Sequence, residues 1–158
     1  MSEQHTTPAD VVRAYAQAKS RADIREAMRH CGPDVVFETI AFQAVATGAD
    51  EVARQNTAFL RAFPDYGVEL EYLVAADDLV VGAGTIRATM AGSLVGIEPT
   101  GRSFALPFAC HWRVRDDLIA HERFFFDFHR MCEQLGLSTA DAAARFAAWR
   151  ERAEAVAR

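Results

Sequence analysis

The sequence predicts an α+β domain with a curved antiparallel sheet, and three observations carry that expectation. Helical patterns come first, period-two segments follow, and one more helical pattern closes the chain, an order that disfavours a parallel βαβ arrangement. Two long alternating segments, Arg102–Arg115 and Leu118–Phe128, meet at the tight turn Arg115-Asp116-Asp117, as the arms of a hairpin do. With 158 residues, 51% of them apolar, the chain has the size and greasiness of one domain with a full core.

The elements follow in order. Thr7-Pro8-Ala9-Asp10 starts a helix, with Thr7 as cap and Pro8 at the first helical position, and Val11, Val12, Tyr15 and Ala18 give it an apolar stripe through Lys19. A short helix over Ala22–His30 ends at Cys31-Gly32-Pro33. Asp34–Ile40 reads as a strand, and Ala49–Phe63 as a helix closed by Phe63-Pro64-Asp65. Strands Val68–Ala75 and Leu79–Met90 flank the Asp77-Asp78 turn, and Gly92–Gly101 is a loop before the two long strands. Phe128–Gly136 is a short helix ending on glycine. Ser138–Arg158 is a longer helix, with Ser138 and Asp141 as capping pair and Ala142, Phe146, Trp149, Ala153 and Val156 forming a narrow stripe. That stripe fits packing on the same domain, a helix–helix dimer contact or a lid over a pocket. The division expected is a main domain over residues 1–137 and a helical extension over 138–158.

Composition excludes several classes. A net charge of −5 disfavours nucleic acid as the main partner. Cys31, Cys110 and Cys132 form no CxxC pair and are odd in number, against a disulfide framework. Residues 1–8, MSEQHTTP, lack the apolar core of an export signal, and no apolar run reaches the ~20 residues that cross a bilayer. A reduced, cytoplasmic setting without membrane contact is the expectation. No P-loop, GxGxxG or G-x-S-x-G is present, so nucleotide-dependent or serine-hydrolase chemistry has no support.

The candidate chemistry lies on the two long strands. His111, Arg113, His121, Arg123 and Asp127 all carry odd numbers, and strand side chains alternate faces. Small residues, Ala105, Pro107 and Ala109, share that face, whereas Phe104, Leu106, Phe108, Cys110, Trp112, Phe124 and Phe126 occupy the even one. The odd face is either a wetted outer surface or the wall of a polar pocket. An even-sum ladder would set His111 opposite His121. Asp127 could also simply cap the helix that begins at Phe128. A metal site of His111, His121 and Asp127 is disfavoured, because six residues of strand separate the last two by roughly 20 Å.

A set of short motifs adds a family. Gly96-Ile97-Glu98-Pro99-Thr100-Gly101-Arg102, then Trp112-Arg113-Val114-Arg115-Asp116 before Ile119, then Arg123, Phe126-Asp127 and Gln134-Leu135-Gly136 together resemble the SnoaL-like polyketide cyclases and related ester cyclases. Phe63-Pro64-Asp65 matches as well, and the resemblance spans about residues 8–137. These proteins belong to the nuclear-transport-factor-two-like superfamily. One departure is that Met90 stands where the family often has histidine.

The resemblance implies a cone-shaped α+β barrel: a strongly bent sheet wrapped on helices around a ligand cavity, and a homodimer built on the outer sheet face. It implies that Asp127 lines the cavity as general acid/base, which would make the odd face the inside of the cone. In that arrangement Asp127 could remove a proton from carbon beside a carbonyl, and His111, His121 or Arg123 could stabilise the enolate. The expected substrate-binding residues are Arg113, Tyr15, Phe59, Phe63, Phe125, Glu38 and Met90. The expected activity is a cofactor-independent, intramolecular aldol-type cyclisation of a hydrophobic carbonyl substrate, with no metal. The alternatives are an isomerase, dehydratase or epoxide hydrolase in the same cavity, or a non-catalytic small-molecule-binding dimer.

Overall fold

A computed structural model describes residues 6–158; most of the polar N-terminal stretch therefore lies outside the described residues. Helices α1 (Pro8–Ser20), α2 (Ile24–Arg29) and α3 (Ala49–Ala62) interleave with strands β1 (Cys31–Thr39) and β2 (Ala44–Thr47). Strands β3 (Gly67–Ala76), β4 (Leu79–Thr89), β5 (Ser103–Arg115) and β6 (Leu118–Phe126) follow, then helices α4 (Phe128–Leu135) and α5 (Thr139–Val156). Local chemistry sets the boundaries as expected. Thr7 and Asp10 form a reciprocal capping box at the start of α1, Ser138 caps α5, and Gly136 at φ 71° ends α4.

The six strands form one curved sheet in the order β2-β1-β6-β5-β4-β3. The expected α+β architecture holds. The sheet is mixed rather than purely antiparallel, because β1 runs parallel to β6. Two elements escaped the sequence reading: the 3-10 turn Ile40–Phe42 and the edge strand β2, which is only four residues long and too short for a period-two signal.

The bend has an identifiable source. The β3–β4 ladder slips by one residue between Leu70 and Tyr72, opposite Gly84 and Ala83. A Cβ on Gly84 would lie 1.9 Å from the Glu69 carbonyl oxygen, so only glycine permits this approach. A second slip separates Arg113 from Val114 on β5 and leaves Ala120 of β6 without a partner. It sets His111 opposite Arg123, and His121 opposite Arg113, instead of the expected His111–His121 pair.

The faces are the reverse of those the family resemblance implied. Along β5 every even residue is buried and every odd one exposed. Helix α1 (Val11, Val12, Tyr15, Ala18) and helix α3 (Val52, Leu60) bury their stripes in the same core as the even face. Burying Phe104, Leu106, Phe108, Cys110 and Trp112 stabilises the fold at roughly 25 cal/mol per Å² of apolar surface, whereas burying the odd-face charges would carry a desolvation cost. The inside of the cone is the aromatic face.

Candidate functional site

A cavity of about 390 Å³ opens between the even face of the sheet, α3 and α5. Its walls are mainly aromatic and aliphatic: Phe37, Phe42, Phe59, Ile86, Phe104, Phe124, Phe126 and Trp149. A space of this size suits a drug-sized, mostly apolar ligand. Two buried polar side chains stand out among the described residues, Asn56 and Glu122, and both line this cavity.

Glu122 comes from β6, two residues past the unpartnered Ala120, and is 5% exposed. Its Oε2 accepts a hydrogen bond from the Trp112 indole N–H at 2.8 Å, and Trp112 is its partner across the ladder. Burial raises the Glu122 carboxyl above its ordinary value of 4.5, partly offset by the positive charge of Lys19, the Trp112 hydrogen bond and His121. The Lys19 ammonium reaches in from the end of α1, 5.8 Å and 5.7 Å from the Tyr15 and Tyr66 ring centres. Both tyrosines are buried and their phenols are pushed up, by desolvation first and then by Glu122.

The Asn56 amide nitrogen on α3 has no hydrogen-bond partner, nor has the buried Tyr15 hydroxyl. A buried donor without an acceptor costs about 1–3 kcal/mol, and Asn56 carries that cost in the cavity wall. The chamber thus combines a buried carboxyl, an unpartnered amide and an aromatic wall.

Residues 9–135 match the model of the SnoaL-like polyketide cyclase family. The chain belongs to that family. IdmH, a putative polyketide cyclase from Streptomyces antibioticus, has a similar structure: 23% identity, TM-score 0.71, covering 83% of this chain and 99% of that one. A putative SnoaL-like polyketide cyclase from Jannaschia sp. CCS1 superposes with TM-score 0.76 at 17% identity, over 85% of this chain and 95% of that one. An NTF2-like protein from Burkholderia thailandensis E264 shares 26% identity over 82% of this chain and 98% of that one, with TM-score 0.71. No curated protein matches the chain.

The residues that the family resemblance singled out lie mostly elsewhere. Asp127 is exposed and does not line the cavity; its Oδ1 accepts from the Arg130 backbone N–H at 2.9 Å, which makes it the N-cap of α4. We expect Asp127→Ala to cost about 1 kcal/mol of stability, read by denaturant unfolding, and to leave ligand binding in the cavity unchanged. His111 is exposed on the outer face, its ring 5.5 Å from that of Phe125. Arg113 pairs with Asp78 at 2.6 Å. Glu38 on β1 meets His121 at 2.6 Å and Arg123 at 3.1 Å, and these partners, Arg123 first, hold its carboxyl below the ordinary value. Because β1 and β6 are parallel neighbours, these three groups form one cluster on the outer face, which none of them shares with the cavity.

Of the expected binding residues, Phe59 lines the cavity. Phe63 and Met90 are fully buried core residues, and Tyr15 packs edge-on against Phe37. Phe125, Arg113 and Glu38 belong to the outer side of the sheet and do not line the cavity. Glu122 was missed, although a signal existed: it is the one charged residue in the even row Glu122, Phe124, Phe126, facing Trp112. A carboxyl in an otherwise apolar strand face is the pattern of a functional group. Asn56 had no such signal, since polar residues are ordinary on an amphipathic helix.

Proposed function

We propose that this protein is a cofactor-independent acid–base enzyme of the polyketide cyclase type, acting on a hydrophobic carbonyl compound in the cavity with Glu122 as the proton-transfer group. The observation that carries the reading is the buried Glu122 carboxyl, raised by desolvation and facing an apolar chamber that also presents an unpartnered amide. The chemistry follows. Ionised Glu122 takes a proton from carbon beside the carbonyl, and the electron pair moves onto oxygen as an enolate. The Asn56 amide donates to that oxygen. The enolate carbon attacks a second carbonyl of the same folded molecule, closing the ring, and the new alkoxide recovers the proton. Confinement by the aromatic walls holds the two carbons in reach, which is the entropic share of the acceleration.

Hydrogen–deuterium exchange at the activated methylene of 2-tetralone in D2O, followed by proton NMR, tests the first step without knowledge of the natural substrate. We expect the protein to accelerate exchange, and its rate to rise with pH through an apparent pKa above 4.5, since only the ionised carboxyl accepts the proton. An unaccelerated exchange despite bound tetralone would favour a ligand-binding role. A homodimer through the outer sheet face belongs to the same proposal: Ala105, Pro107 and Ala109 leave a low, exposed strip there beside the charged groups. Sedimentation at micromolar concentration reads it, with an Ala109→Arg variant expected to be monomeric.

A further inference from the structure

We propose that α5 is the size gate of the cavity and that Trp149 sets which ligands pass it, an inference that rests on the cavity being the ligand site. The family match ends at residue 135, so α5 lies beyond the matched residues. Yet Phe146, Trp149 and Ala153, one stripe of α5, line the chamber. Phe146 is sealed: 4% exposed, its ring stacked on Phe42 at 4.2 Å and 12° and meeting Phe128 edge-on at 5.8 Å. Trp149 is half-buried and Ala153 exposed, so the stripe runs from closed wall to open mouth within two turns, and Trp149 stands at the boundary.

The attachment of this wall is local. Arg150 donates from Nη1 to the Phe42 carbonyl at 2.8 Å, tying α5 to the 3-10 turn, whose next residue, Gln43, adopts a left-handed conformation at φ 50°. Beyond that latch, α5 runs out to Val156, which is 90% exposed. Ala142 and Phe146 anchor the first half of α5 in the core. Past Phe146 the helix is exposed or half-buried and tied by the Arg150 hydrogen bond, so its second half can part from the sheet while the first half stays packed. The indole at 149 is the bulk a rigid ligand must displace, and the small Ala153 beside it leaves the passage open.

The test uses the full chain and 1,8-dihydroxyanthraquinone, a rigid three-ring probe, with 2-tetralone as the two-ring control. Trp112 and Trp149 are the two tryptophans of the chain, so the part of probe quenching lost in Trp149→Phe reports the mouth. We expect Trp149→Ala to speed anthraquinone association about tenfold in stopped flow and Ala153→Phe to slow it about tenfold, with a smaller change in the association rate of the narrower 2-tetralone. Ala153→Phe alters an exposed position, which keeps the test independent of any folding defect in Trp149→Ala. Association rates unchanged in both variants, or quenching undiminished in Trp149→Phe, would overturn the gate. Exchange that ignores Glu122 while the gate variants behave as stated would remove the acid–base reading and leave the gate; no anthraquinone binding to the wild type would overturn the gate itself.

Discussion

Glu122→Gln should lower catalysed proton exchange on a bound ketone by roughly 10²–10⁴-fold, the range that one positioned acid or base contributes. The substitution keeps the shape and the acceptor for the Trp112 indole N–H, so ligand affinity should stay within a few-fold of wild type. Stability supplies an independent sign. In the folded protein the Glu122 carboxyl is raised above 4.5. The folded state therefore holds its proton more tightly than the unfolded chain does. That contribution to stability is complete below 4.5 and is lost as pH rises through the folded value. Glutamine does not titrate, so the melting temperature of Glu122→Gln relative to wild type should climb with pH across that interval and then level off. Lys19 works against the trend, because its charge favours the ionised carboxyl.

Gly84→Ala should be among the most damaging single substitutions, costing at least ~3 kcal/mol and leaving little folded protein in a urea titration. The added Cβ would lie 1.9 Å from the Glu69 carbonyl oxygen and 3.1 Å from the Leu70 Cα, both backbone atoms that cannot swing aside. The strands would have to part at the point where the β3–β4 register slips. β4 carries Ile86 into the cavity wall two residues beyond Gly84, so the variant's surviving folded fraction should also bind 2-tetralone more weakly. Gly67→Ala is the matched control on the same sheet, since a Cβ there meets nothing within 4 Å, and it should change stability by less than about 1 kcal/mol.

Most of the fold was legible because its signals are local. Alternation in β5 and β6, the Thr7-Pro8 start, the Gly136 stop and the Ser138 cap each act over a few residues. Orientation was harder. The odd and even faces of β5 could be separated by period alone, but deciding which one faced inward required weighing aromatic burial against charge burial, and the family resemblance pulled toward the polar face. The energetics favour the aromatic face, and the alternation in exposure along β5 follows them. Asp127 illustrates the same point: aspartate before a helix already has a sufficient role as its cap. The slip at Ala120, which decides that Glu122 faces the chamber and offsets the histidines, is a property of two strands together, and a single strand's sequence does not report it.

Carbon-13 NMR titration of the glutamate and aspartate carboxyls, with and without bound 1,8-dihydroxyanthraquinone, addresses the central claim most directly. The Glu122 signal, assigned by Glu122→Gln, should titrate above 4.5 in the free protein and shift on binding, while Asp127, assigned by Asp127→Asn, should ignore the ligand. A Glu122 signal that titrates at or below 4.5, or an Asp127 signal that moves with the ligand while Glu122 stays still, would contradict the account and return the chemistry to the outer end of β6.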